Sequence, residues 1–222
     1  RMNEKKLIIF GAGQIAELAY HYFSSDSEYS IQAFSVDKEY IESDDFFGLP
    51  VIAFEEIQAS FPPEDYEMFI ALSYSEVNSI RKKKYFAAKA KGYKLASYIS
   101  SRATILNDMS IGDNCFILEN NTIQPFVSIG NNVTLWSGNH IGHHSEICDH
   151  VFIASHVVVS GGVHIGSQSF LGVNATLINN ISIGDGCVIG AGALVNSNVE
   201  SHLVIKSNAS NSIFSTDELK KI

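Results

Sequence analysis

Every sixth residue from Ile99 to Val195 is Ile, Leu or Val, without exception. An α-helix repeats its buried face every 3.6 residues or so and a strand every second residue, so neither accounts for this period. A six-residue repeat is the pattern of a parallel β-helix, with one short strand and one corner per hexapeptide. Three hexads make one triangular coil. Residues 18 apart should therefore stack about 4.8 Å from one another, as neighbouring strands do. Two places before each aliphatic the residue is usually small or branched (Cys115, Val133, Val151, Val163, Ala175, Cys187), and the place after is often Gly (Gly112, Gly130, Gly142, Gly166, Gly172, Gly184, Gly190). Small residues suit tight corners. The reading places a β-helix over residues 99–198 and a tail, 199–222, that leaves the repeat and caps the last coil.

Residues 1–98 follow another grammar. Lys6–Phe10 is an apolar run short enough for a buried strand, Ile31–Ser35 a second and Glu67–Leu72 a third. Helical stretches fall between them, from about Ile15 to Phe23 and from Ser75 to Ala90, the second with Ser75 as N-cap and Gly92 as stop. Strands alternating with helices imply a small parallel sheet.

The net charge of −9 argues against a binder of nucleic-acid backbone. No stretch approaches the roughly 20 apolar residues of a membrane span. The N-terminus lacks a basic-then-apolar signal pattern, which predicts a cytoplasmic protein. Cys115, Cys148 and Cys187 have no metal-type spacing and read as small apolar residues of the coils.

Three constellations could carry chemistry. Gly11-Ala12-Gly13-Gln14-Ile15-Ala16 follows a strand and opens a helix, the context of a phosphate-binding turn. Asp37 closes the second strand, where an acid can reach a ribose or base. The half-domain is short for a dinucleotide, so a single nucleotide fits better. The second constellation is the histidine cluster: His140, His143, His144 and His150, then His156 and His164. His143 and His144 follow Gly142 at a corner, and corner side chains point outward. A neutral imidazole there can take a proton from an attacking amine or hydroxyl. Adjacent histidines are poor partners for one zinc ion, and no Cys or carboxylate has matching spacing, so no metal is expected. The third is Arg81-Lys82-Lys83-Lys84, a solvated face in most proteins, one member of which could reach a phosphate at the carboxyl ends of the strands.

Together these pieces resemble the sialic acid O-acetyltransferase-like sugar acyltransferases, which include the N-acetyltransferases of nucleotide-linked amino sugars. The resemblance covers nearly the whole chain: a small α/β Rossmann-like N-terminal domain followed by a left-handed parallel β-helix. It implies that the first domain holds the nucleotide, that acetyl-CoA lies along the β-helix as cosubstrate, and that the chain is a homotrimer with the sugar in a cleft between two subunits. His143 matches the family's catalytic base, with His144 beside it. Gly11, Ala12, Gly13, Gln14 and Asp37 match the nucleotide site, with Arg81 as a further candidate. Gly161, one coil beyond His143, matches a position whose backbone meets the thioester end of the cosubstrate, and Gly172, Val173, Ala191 and Gly192 match its channel. The chain departs from the pattern in three places. His144 stands where relatives often have an acid, which leaves the group orienting His143 unidentified. Trp136 stands where a relative has an asparagine facing the sugar, and a tryptophan there could stack on the sugar ring. Lys206-Ser-Asn-Ala-Ser210 replaces a Gly-x-Pro-Ala-Lys loop. The expected activity is acetyl-CoA-dependent N-acetylation of a nucleotide-linked amino sugar, a dTDP-4-amino-4,6-dideoxyhexose of surface polysaccharide synthesis. The alternatives are O-acetylation of a sugar hydroxyl and a non-catalytic nucleotide-sugar-binding protein.

Overall fold

Short apolar runs separated by helices build an open, mostly parallel sheet in the first half of the chain. In the computed structural model, which describes residues 5–106 and 110–207, this half runs β1 (Lys5–Phe10), α1 (Gln14–Ser25), β2 (Tyr29–Val36), β3 (Asp45–Phe46), β4 (Leu49–Ala53), α2 (Ile57–Ser60), β5 (Glu67–Ile70), α3 (Ser79–Ala90) and β6 (Lys94–Leu95). The sheet order is β3-β4-β2-β1-β5-β6, parallel throughout except β3 against β4. Leu7, Ile8 and Ile9 are fully buried in succession, the mark of a strand covered on both faces. The chain builds outward from β1 on one side through β2 and on the other through β5. The switch point therefore lies beside the carboxyl end of β1, where Gly11–Gly13 follow. The strands and helices expected from the sequence are present. The stretch between Asp37 and Tyr66, to which the sequence pattern assigned nothing, adds β3, β4, α2 and a 3-10 turn at Lys38–Tyr40.

The third helix starts later than expected, at Ser79 rather than after a Ser75 cap. Glu76, Val77 and Asn78 are all left-handed (φ 51°, 50° and 64°), a conformation that costs a β-branched residue most. The reason lies outside the helix. The turn delivers the Asn78 amide, fully buried, to the second half of the molecule.

That second half is a β-helix of two-residue strands on three faces. The first face stacks strands from Tyr98–Ile99 through Thr134–Leu135 to Val204–Ile205, the second from Thr104–Ile105 through His140–Ile141 to Leu194–Val195, and the third from Ser128–Ile129 through Glu146–Ile147 to Ser182–Ile183. Partners are 18 residues apart, as His140↔Val158 and Ile141↔Val159 show. The second residue of each strand points inward, and from Ile117 to Val195 these ladder residues are buried. Each contributes roughly 1.5–3 kcal/mol by leaving water. At the open end Ile99 remains 38% exposed.

The corners obey a rule that the spacing of aliphatics does not reveal. Every sixth residue from Asn114 to Gly192 is left-handed, and the occupants are Asn, Gly, His, Gln and one Phe. Asn and His tolerate that conformation better than most side chains, and Gly accepts it freely. The glycines after the ladder residues answer a different demand from the one expected. Gly142, for example, stands where a Cβ would lie 2.6 Å from the backbone nitrogen of Gly161 in the next coil. They allow coils to stack closely rather than corners to turn. The ladder also continues past its expected end. One coil is two residues shorter than the rest, so Val199 bridges Ile183, and Val204–Ile205 pair with Val188–Ile189. Residues after Ser207, including most of the expected tail and of the 206–210 segment, lie outside the described residues.

Candidate active site

The two halves meet along a buried polar seam. The helix α3 lies on the corner between the third and first faces, where the left-handed residues Asn114, Asn132, His150 and Gln168 stack one coil apart. Asn78 donates to the carbonyls of Gln168 (3.2 Å) and Ser169 (3.1 Å). Tyr85 and Lys89 both bond Asp113. Arg81 sits between them, 1% exposed. Its guanidinium donates to the Asn132 carbonyl and side chain, to the Asn78 amide oxygen and to the carbonyls of His150 and Val151. No carboxylate faces it among the described residues, and burial lowers its pKa to about 10. The expectation that Arg81 reaches a nucleotide is therefore corrected. Its fork matches the carbonyls of the β-helix corner and fixes one domain on the other. The polar chain continues from Asn114 to Asn132 Oδ1 (2.8 Å) and from Asn132 to His150 Nδ1 (2.9 Å). Burial lowers the His150 pKa to about 4, so at neutral pH it is a neutral acceptor.

The glycine turn between β1 and α1 has an open geometry. Gly11 (φ +129°) admits no side chain, because a Cβ would stand 2.8 Å from the Ala71 carbonyl oxygen. Gly13 is the N-cap of α1 without a side-chain cap, and a Cβ there would meet only open space. Gln14 is exposed in the first turn of α1, so its N-terminal N–H groups are free to meet an anion. Ala12 and Gly13 border a crevice of about 460 Å³, shared with Tyr40, Ser43 and Asp45. Asp37 stands at the end of β2 but already has a partner: Lys84 Nζ lies 2.5 Å from its Oδ1, and both side chains are under one-fifth exposed. Lys84 also lines the cleft with Gly11 and Ala12. The basic run does send one member to this crevice, and it is Lys84 rather than Arg81. The helical period gives only a weak signal for this, since Lys84 lies three residues and about 60° in projection from Arg81, on the same side of α3.

His143 occupies the corner between the second and third faces. Its backbone N–H donates to Gln124 Oε1 (3.0 Å), and its Nδ1 lies 3.0 Å from Nδ1 of His144. The ring lies over Gly161 in the next coil, where a Cβ would stand 2.7 Å from its Cε1 and Nε2. Only glycine leaves room for it. Gly162 donates to the His143 carbonyl (2.8 Å), whereas the Gly161 N–H has no protein acceptor among the described residues. An imidazole and a free backbone donor thus stand side by side on an exposed corner. The other histidines sort by the repeat. His144, His150, His156 and His202 fill left-handed slots, and His140 and His164 lie on strands with their side chains outward. His143 alone of the β-helix histidines has neither role.

Gly172, Val173, Ala191 and Gly192 share the corner between the first and second faces, where Val173 is 43% exposed. Trp136 lies on this corner too, half-buried, stacked on Phe152 (centroids 5.8 Å apart) and packed into the interdomain cluster with Phe116. Within one chain, then, the residues matched to the cosubstrate channel and Trp136 do not meet His143. The third face holds a group the linear spacing had hidden. Glu146, Cys148 and His164 bring their ligating atoms within 4.8 Å of one another, because Glu146 and His164 stack across coils. The 18-residue rule was the signal for it. Among the described residues no helix is long and apolar enough to cross a membrane.

Comparison with known proteins places this geometry. Residues 108–141, 126–161 and 162–197 match the family described as bacterial transferase hexapeptide (six repeats). A comparison with curated protein sequences finds no match. The whole fold, α/β domain and left-handed β-helix together, is shared with several solved structures. A mutant of perosamine N-acetyltransferase from Caulobacter crescentus, in complex with CoA and GDP-perosamine, superposes with a TM-score of 0.81 at 19% identity over 90% of this chain and 93% of that one. The acetyltransferase domain of PglB from Neisseria gonorrhoeae, in complex with acetyl coenzyme A, gives 0.82 at 22% identity over 95% and 100%. WeeI from Acinetobacter baumannii gives 0.79 at 20% over 92% and 97%.

Proposed function

We propose that this chain transfers an acetyl group from acetyl-CoA to the amino group of a nucleotide-linked sugar. The observation that carries the reading is the His143 imidazole lying over side-chain-free Gly161, whose N–H is unpaired, on a chain that also presents an open nucleotide turn. The solved relatives support it, one being a complex with CoA and GDP-perosamine and another with acetyl coenzyme A. Acetyl-CoA, when bound, supplies the thioester carbonyl. His143 Nε2 accepts the amine proton as nitrogen attacks that carbonyl. The Gly161 N–H then holds the charge that develops on the carbonyl oxygen. Gly13 and the first turn of α1 take the phosphates, with Lys84 and Asp37 beside the nucleoside.

The reading includes a cytoplasmic homotrimer. Val158 and Leu194 are exposed on the second face and Phe126 on its edge, and the channel residues sit on one side of that face with His143 on the other. Packing these faces around a threefold axis would bring the channel corner of one copy to the His143 corner of the next. The expected substrate is a dTDP-4-amino-4,6-dideoxyhexose of surface polysaccharide synthesis. Release of the CoA thiol, followed with a panel of dTDP-, UDP- and GDP-linked amino sugars and their hydroxy analogues, tests the whole. Turnover of one amino sugar but not its hydroxy analogue is expected. Turnover of the hydroxy sugar alone means O-acetylation, and release with none of them removes the enzymatic reading.

A further inference from the structure

The side chain that orients His143 is visible in the geometry, and it is not an acid. His143 Nδ1 and His144 Nδ1 are 3.0 Å apart, and the ring planes stand at 88°. Two imidazole nitrogens at that distance share one hydrogen. Only one arrangement serves the proposed chemistry: His143 carries the hydrogen on Nδ1 and His144 accepts it, which leaves a lone pair on His143 Nε2 over Gly161. No carboxylate or other charged side chain bonds either ring among the described residues.

What lies beneath His144 is equally specific. One coil below, Phe126 stacks on the His144 ring with centroids 4.6 Å apart and planes at 36°. Phe126 occupies the left-handed slot (φ 66°) that elsewhere in the described coils holds Asn, Gly, His or Gln. A bulky aromatic in that conformation is an outlier, and it is 68% exposed in the single chain, so packing within the chain does not require it. An aromatic face beneath an imidazole favours the cationic ring.

Resting on the reading of His143 as a base, we propose that His143, His144 and Phe126 form a relay in which the positive charge of the protonated base is shared with a second imidazole and held over an aromatic face. As the amine attacks, its proton passes to His143 Nε2 while the Nδ1 hydrogen shifts toward His144 Nδ1. Both return when the C–S bond breaks and the departing thiolate takes the proton from Nε2. No oxidant or further reactant is needed. His144 never touches the substrate; it is a positioning residue that also takes up charge.

The test has one arm that needs no substrate. In the protein with ¹⁵N-labelled histidine, NMR should show neutral His143 protonated on Nδ1 and neutral His144 on Nε2, with a hydrogen-bond coupling between the two Nδ1 atoms. His144→Asn keeps the left-handed slot and an acceptor but cannot bind a proton, so His143 should stay protonated on Nδ1 while the coupling to a second ring nitrogen is lost. A neutral His143 with its proton on Nε2, or no coupling between the two Nδ1 atoms, would overturn the relay even if the activity were confirmed. The kinetic arm uses the substrate found in the panel. His144→Asn should lower kcat about tenfold with both KM values unchanged. His144→Glu should restore most of kcat and move the acid limb of the pH profile upward, because a carboxylate favours imidazolium. Phe126→Leu should lower kcat less. An His144→Asn enzyme with unchanged kcat and pH profile would rule the relay out while leaving His143 as the base.

Discussion

Two corners of the β-helix follow the same backbone rule and meet opposite fates. On one, Asn132 and His150 fill left-handed slots and disappear beneath α3. On the other, Phe126 and His144 fill the equivalent slots and stay in solvent. The hexad therefore decides where a histidine can stand, and the neighbour decides what it can do. Covered, His150 is held neutral and serves as a hydrogen-bond acceptor. Uncovered, His144 stands beside the one β-helix histidine that the repeat does not account for.

The comparison breaks hardest at His143. Replacing it with Ala should lower kcat by about 10²–10⁴, the loss expected for a general base. His150→Asn, measured on the same substrate, should leave kcat near the original value. If both variants kept full turnover, the exposed corner would be no more a catalytic site than the buried one.

Next in size is the seam. Arg81→Met removes the fork that satisfies five oxygen acceptors in the buried interface. Asn132 Oδ1 and the Val151 carbonyl keep donors in Asn114 and Thr134, but the Asn132 and His150 carbonyls and the Asn78 amide oxygen are left unpaired, which should cost about 3–5 kcal/mol. Denaturant titration would show a lower midpoint, and an unshifted one would mean that the domains are held by the apolar cluster alone. Lys is no substitute, because one ammonium cannot span carbonyls on successive coils.

Much of this was legible in the sequence, and the boundary of legibility has a physical cause. The ladder from Ile99 to Val195 named the β-helix because each inward aliphatic is selected by a local geometry that recurs. The glycine turn was readable because strand, turn and helix are contiguous. Arg81 and Trp136 were not, since their partners lie far away in the chain: Arg81 ends among residues 132–151 and Trp136 among the rings of the interdomain cluster. The late start of α3 was hidden for the same reason, its first turn being unwound by contacts to Gln168 and Ser169. Val199 and Ile205 escaped because one coil is two residues short and the count of six loses phase there.

A smaller effect isolates the exposed corner from its scaffold. In Gly161→Ala the added carbon would stand 2.7 Å from the His143 ring, so the imidazole must move. A displacement of about 1 Å at a reacting centre costs on the order of 10² in rate. The protein should fold with nearly its original stability, because the ring faces solvent. A variant that loses stability rather than kcat would show the glycine to be needed for coil stacking instead, as Gly142 is.

Acid should separate the two histidines again. The pKa of His150 falls from 6.5 to about 4 on folding because its ring is buried. Between those values the unfolded chain binds the proton and the folded one does not. His150 therefore contributes no penalty above pH 6.5, and stability is lost as pH falls from there toward 4, by up to about 3 kcal/mol. Melting curves over that range should flatten in His150→Asn, since Asn suits the slot and its amide oxygen can accept the bond from Asn132. An equally steep acid dependence in the variant would place the sensitive group elsewhere.

The smallest expected effect bears most directly on why so many histidines gather here. His156 is exposed, left-handed (φ 57°) and on the corner between the first and second faces, away from both the seam and His143. Its backbone N–H bonds Ser137 and its ring covers Gly138, where a Cβ would lie 2.5 Å from the ring. Asn meets the same backbone demand, as Asn120 and Asn174 do in the slots of the same corner. His156→Asn should therefore change stability by no more than about 0.5 kcal/mol and leave kcat untouched. Differential scanning calorimetry and the thiol-release assay would check both. A marked loss of activity would bring this corner into the site, as the neighbouring copy's contribution to the cleft, and would tie the two corners together across a subunit boundary.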